Sequence, residues 1–118
     1  MSFNGVEEVL ESELKISKKE AKLFLSIVHN GRMDTRKISQ MLNWSINEAD
    51  EVAESLIGRG MIIDITNTEY ESLHPRFAVT NRYRRRCEED NVPFTKNLKV
   101  DKIGFILERP YNDARRTK

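Results

Sequence analysis

The chain has 118 residues, enough for one domain with one core, and a net charge of +1, so its total charge points to no polyanionic partner. Its 33% charged and 38% hydrophobic residues suit helices with charged outer faces, and apolar residues recurring at helical spacing argue against a disordered chain. Cys87 is the lone cysteine, so no intramolecular disulfide can form and a reducing compartment fits; with no signal peptide and no apolar run able to span a bilayer, a cytoplasmic location is expected.

In chain order, residues 5–14 form a short helical pattern with Val6, Val9, Leu10 and Leu14. Residues 17–20 (SKKE) are a capping box: the Ser17 hydroxyl accepts from the Glu20 amide while the Glu20 carboxylate reaches back. Ala21, Phe24, Leu25 and Val28 continue that helix at i, i+3, i+4 and i+7, and Asn30-Gly31 stops it. Thr35 is expected to cap a short helix with Ile38, Met41 and Leu42 inward, and Asn43-Trp44 to make a turn. Residues 45–48 (SINE) form a second capping box, with Trp44 stapled onto Ala49. Ala49, Val52, Ala53, Leu56 and Ile57 then make an apolar stripe that Gly58 and Gly60 end.

Residues 61–65 are rich in β-branched side chains and read as a strand, Asn67-Thr68 as a turn, and residues 69–73 as the returning strand with Tyr70 facing the core or its hairpin partner. Pro75 suits the first turn of a helix in which Val79, Tyr83 and Cys87 recur at i, i+4 and i+8. NVPF at 91–94 breaks the chain. A last helix carries Leu98, Val100, Ile103, Phe105, Ile106 and Leu107, Pro110 ends or kinks it, and the polar tail from Asp113 frays. The fold class predicted is mainly α with a small β-hairpin: a winged helix-turn-helix over residues 1–80 and a C-terminal helical extension over 81–118.

SKKEAKLFLSIVHNG, TRKISQMLNWSINEADEVAESLIGRGMI and YESLHPRFAVTNRYR together resemble the N-terminal winged-helix domain of archaeal TrmB-like transcriptional regulators over residues 14–80, and LERPYNDARRTK is similar to the tails of short archaeal members. The resemblance implies a small DNA-binding transcriptional regulator. Larger members carry a C-terminal sugar-binding domain for which this chain has no room, which removes sugar sensing from the expectation.

In a helix-turn-helix the first residues of the second helix reach base edges. Here these are Trp44, Ser45, Ile46, Asn47 and Glu48; Ser45 and Asn47 suit bases or phosphates, and Glu48 suits the N4 donor of cytosine. Arg32, Arg36 and Lys37 bring cations through the short helix. The same second helix shows Asp50, Glu51 and Glu54 beside Glu48, and the wing adds Asp64, Glu69 and Glu71. A solvated, dipole-matched face is the simpler account of these acids. The sharper one is a docking surface for a basic protein partner, which makes a winged-helix interaction module of a transcription or chromatin assembly the competing function.

Residues 61–118 hold 12 Lys/Arg against 9 Asp/Glu, where residues 1–60 hold 8 against 10. The excess is concentrated in Arg76, Arg82, Arg84, Arg85 and Arg86; on a helix Arg82, Arg85 and Arg86 share a face, either meeting phosphates or quenched by Glu88, Glu89 and Asp90. His29 and His74 lie far from Cys87 in sequence, so no metal-ligand spacing exists, and no phosphate loop, dinucleotide fingerprint or nucleophile elbow is present. No catalysis, metal or cofactor is expected.

The last helix has apolar residues on more than one face. Leu98, Val100, Ile103 and Leu107, with Gly104 allowing close approach, are expected to pack against a second copy in a two-fold homodimer. The alternative is a last helix folded back on the chain with Phe105 left partly exposed.

Overall fold

The computed structural model describes residues 4–116. Within them run α1 (Asn4–Leu14), α2 (Lys18–Asn30), β1 (Met33–Asp34), α3 (Thr35–Leu42), α4 (Ile46–Gly58), β2 (Ile62–Asp64), β3 (Glu69–Ser72), α5 (Pro75–Glu89) and α6 (Leu98–Arg115).

α2 starts on its capping box: Ser17 Oγ accepts from the Glu20 amide at 3.1 Å, and Glu20 accepts from the Ser17 amide at 2.7 Å. Residues 23–28 of α2 are all buried, which makes it the central rod of the core. Glu20 is buried as well, and its carboxylate also takes the Ser55 hydroxyl and Arg59 Nε from the far end of α4. Burial pushes its pKa up, but the Ser55 hydroxyl, the Ser17 amide and Arg59 outweigh that and hold it below the ordinary 4.5.

α3 is capped by Asp34, whose carboxylate accepts from the Lys37 amide at 2.8 Å; Thr35, expected as the cap, is buried in the first turn. Asn43 closes α3 in the left-handed region (φ 59), which its short polar side chain tolerates. The second capping box is half made. Ser45 Oγ accepts from the Glu48 amide at 3.0 Å, but the Glu48 carboxylate turns to the Lys19 ammonium, a charged partner that competes well with a neutral amide. Trp44 is half-buried against the core, with Lys19 Nζ 5.9 Å from its ring centre.

The ribbon has a third member. β1 pairs with β3 through Met33 and Tyr70, and the sheet order is β1-β3-β2, antiparallel throughout. Two residues are too few for an alternating pattern to appear in the sequence.

α6 packs on α5, α2 and α1. Val100, Ile103, Gly104 and Leu107, assigned by their spacing to a second copy, are instead buried within the chain. The approach that Gly104 permits is to α5: a Cβ there would lie 3.1 Å from Arg76 Cα and 3.3 Å from Val79 Cγ2. The groove left by the preceding helices accepts the whole stripe, and Leu98 and Phe105 stay outside, 71% and 70% exposed. Pro110 does not end α6. The helix runs on to Arg115 and includes residues 113–115 of the expected tail; Thr117 and Lys118 lie outside the described residues.

Candidate nucleic-acid interface

α3, its left-handed turn and α4 present one surface, and the β2–β3 hairpin flanks it. Ser45 and Asn47 are exposed at the start of α4, and the outward line continues through Glu51, Glu54 and Gly58, all exposed. Arg36 and Lys37 are exposed on α3, and neither enters an ion pair among the described residues. Arg36 borders a cleft of about 530 Å³ with Asp34, Thr35, Ile46 and Thr68, which places it between the start of α4 and the turn of the hairpin.

Two of the four acids of α4 are occupied. Glu48 is engaged by Lys19. Asp50 Oδ1 accepts from the Thr35 hydroxyl at 2.9 Å and the Tyr70 hydroxyl at 3.2 Å, knitting α4 to α3 and β3. Burial and then the Asp50 charge raise the Tyr70 pKa above 10.0. Asp50 is therefore an internal tie rather than part of a docking face, and Glu51 and Glu54 remain outside.

The arginine run does not form the single surface that its wheel suggests. Arg82 is 1% exposed. Its Nε donates to the Leu14 carbonyl at 2.9 Å and its Nη1 to Glu89 Oε2 at 2.9 Å, so it satisfies the C-terminal end of α1 and cannot meet a phosphate. That hydrogen bond and charge hold the Glu89 carboxyl below 4.5, against a smaller opposing push from desolvation. Arg84 pairs with Glu88 across one helical turn and bonds Asn81. Arg86 Nε lies 3.1 Å from Asp90, and its guanidinium sits 6.0 Å from the Tyr83 ring centre. Arg85 is exposed and donates to the Gly58 carbonyl at 2.9 Å. It thus sits at the last turn of α4, about 18 Å from the first. Arg76 is exposed and faces Glu108 of α6 at 3.7 Å.

The hairpin is held from behind by a residue that the sequence gives no reason to single out. Arg115, in the last turn of α6, pairs with Glu71 of β3 and donates to the carbonyls of Ile27 and Val28 at 3.0 Å each.

A short helix, a tight turn and a second helix, followed by an antiparallel hairpin, make a winged helix-turn-helix. A family model described as "Sugar-specific transcriptional regulator TrmB" matches residues 10–84. The chain belongs to the TrmB family. The matched stretch takes in the end of α1, all of α2 to β3 and the first ten residues of α5, so the whole TrmB helix-turn-helix and its wing lie within it. TrmB proteins are transcriptional regulators of the DNA-binding, winged-helix type. No curated protein and no solved structure matches the chain. No described helix of this TrmB member is long and apolar enough to cross a membrane.

Proposed function

We propose that this TrmB-family chain binds duplex DNA with the first turn of α4 in the major groove and the β2–β3 wing alongside. Ser45 and Asn47 face base edges, and Arg36 and Lys37 meet phosphates. The observation that carries the reading is the placement of Arg36: a cation without an ion pair among the described residues, on the cleft between the α4 start and the wing. Arg82 takes no part, Arg85 stands at the far end of α4 from its first turn, and Arg76 and Arg86 face carboxylates of α6 and of the end of α5. Glu51 and Glu54 lower sequence-independent affinity by standing near phosphates.

The test is binding to random-sequence duplex across a salt series. Arg36→Gln and Lys37→Gln should each flatten the log–log salt slope by about one unit. Glu51→Gln with Glu54→Gln should raise DNA affinity. No binding at low salt, by the native chain or by the Glu51/Glu54 variant, refutes the reading and favours the second one, a basic protein partner on Glu51 and Glu54.

The same reading takes the chain as a homodimer, through the outer face of α6 in place of its buried stripe. Leu98 and Phe105 are exposed one heptad apart. Asp101 and Glu108 flank them on one side, Lys102 and Arg109 on the other. Two such helices side by side, related by an axis along their length, set each basic flank against an acidic one. Sedimentation at micromolar concentration should show a dimer that Phe105→Asp converts to a folded monomer; a monomeric native chain refutes it.

A further inference from the structure

Arg115 joins three elements through one side chain. Toward α2, Nη1 donates to the Val28 carbonyl and Nη2 to the Ile27 carbonyl, each at 3.0 Å, in the last turn of the helix, where the Ile27 carbonyl also takes the Gly31 amide. Toward the wing, the guanidinium engages the Glu71 carboxylate and reaches Ser72 Oγ at 3.4 Å. Toward its own helix, it donates to the Tyr111 carbonyl at 2.8 Å and lies 3.8 Å from the centre of the Tyr111 ring. Glu71 also accepts from the Ser72 amide at 2.9 Å and sits opposite Ile63 in the β2–β3 register. A planar donor fork at the meeting point of a helix end and a carboxylate is what Arg offers and Lys does not.

We propose that Arg115 is a positioning residue for the wing, and that through it the placement of α6 sets the geometry of DNA binding. The wing is pinned at neighbouring residues of β3: Tyr70 bonds Asp50 on α4, and Glu71 bonds Arg115 on α6. The first tie sets the wing against the recognition helix. The second sets it against the central helix and the C-terminal one. Arg115 touches no surface offered to DNA, so its effect is on the angle of the wing and not on charge neutralisation. A shift of α6, such as pairing of its outer face with a second copy would impose, passes to β3 by this contact, and DNA binding acts back on α6 by the same amount. The inference rests on the proposed DNA binding, but its first consequence, ordering of the wing, is measurable without DNA.

The experiment is amide hydrogen exchange together with DNA binding over a salt series, on the native chain, Arg115→Gln, Glu71→Gln and the double variant, at temperatures where all are fully folded. Arg115→Gln should speed exchange in β2 and β3 while α1 and α3 keep native protection. It should also weaken DNA binding roughly tenfold at fixed salt with the salt slope unchanged. Glu71→Gln should reproduce the loss, and the double variant should lose no more than either single one. If Arg115→Gln does not fold, Arg115→Lys, which keeps the charge without the fork, should show the same pattern in milder form. Native exchange in the wing overturns the proposal, as does faster exchange spread over the whole core. A salt slope lowered by about one unit overturns it too, because Arg115 would then be a phosphate contact. If the native chain binds no duplex, the DNA reading falls and wing exchange alone decides whether Arg115 orders the wing.

Discussion

Replacing Arg82 by Ala separates the two roles that an arginine in a basic run can play. The side chain is 1% exposed, so truncation removes two buried methylenes, about 1.6 kcal/mol of lost burial. It also leaves the Leu14 carbonyl without its donor, about 1–3 kcal/mol for an orphaned buried acceptor. Glu89, whose side chain is 55% exposed, returns to water and adds little. The sum is about 3–5 kcal/mol. Unfolding entropy scales with length to about 0.25 kcal/mol/K for a chain of this size, so the melting temperature should fall by about 12–20 °C. Thermal unfolding followed by circular dichroism measures this, and a urea titration gives the free energy independently. At a temperature where the variant is folded, its DNA salt slope should equal that of the native chain. A variant that melts within two or three degrees of native and loses about one unit of salt slope would show that Arg82 faces phosphate and does not hold the end of α1.

The carboxyls of Glu20 and Glu89 sit below 4.5 in the folded chain, so the unfolded chain binds protons first. The stability they add is complete above about pH 4.5 and is lost as pH falls through their folded values; Glu20→Gln should blunt this acid limb in a series of melts. Gly104→Ala should lower stability by up to about 2 kcal/mol, because overpacking against the Arg76 backbone exceeds the gain in helix propensity, whereas Gly58→Ala, with nothing within 4 Å of its new methyl, should raise it by about 0.5–1 kcal/mol. Asp50→Ala should cost about 1–3 kcal/mol and lower the Tyr70 pKa toward its ordinary value without reaching it, since burial, the larger cause, remains; tyrosine titration by NMR reads this.

What the sequence made legible was what neighbours in the chain decide. The Ser17 and Glu20 box lies within one turn, and the stripe from Ala21 to Val28 declares α2 by its own period. The hairpin was legible from Ile62, Ile63 and Ile65 before a polar turn and from Tyr70 after it. What it hid depends on distant partners. Asp34 and Thr35 are both capping residues, and the choice falls to Asp34 because Thr35 is claimed by Asp50. Glu48 leaves its box for Lys19, 29 residues earlier. The α6 stripe announces burial but not against which chain, and the groove on α5, α2 and α1 that takes it has no signature in residues 98–107. Counting arginines gave a patch, whereas the burial of Arg82 is set by a carbonyl 68 residues away. Pro110 argues for a helix end, yet α6 continues because Leu107 below it and Arg115 above it are both held by the core.

Because α6 closes the core, the ribosome delivers the closing piece only after every helix that it covers. Glu13 at the end of α1 bonds Asn97 at the start of α6, 84 residues later. At synthesis rates of 5–20 residues per second, about 4–17 s pass between those two positions. During that interval the sides of α1 and α2 that α6 will cover face solvent. The surface that α6 covers on α1 therefore stays open while the whole winged helix is being made, and closes only after α5 has emerged.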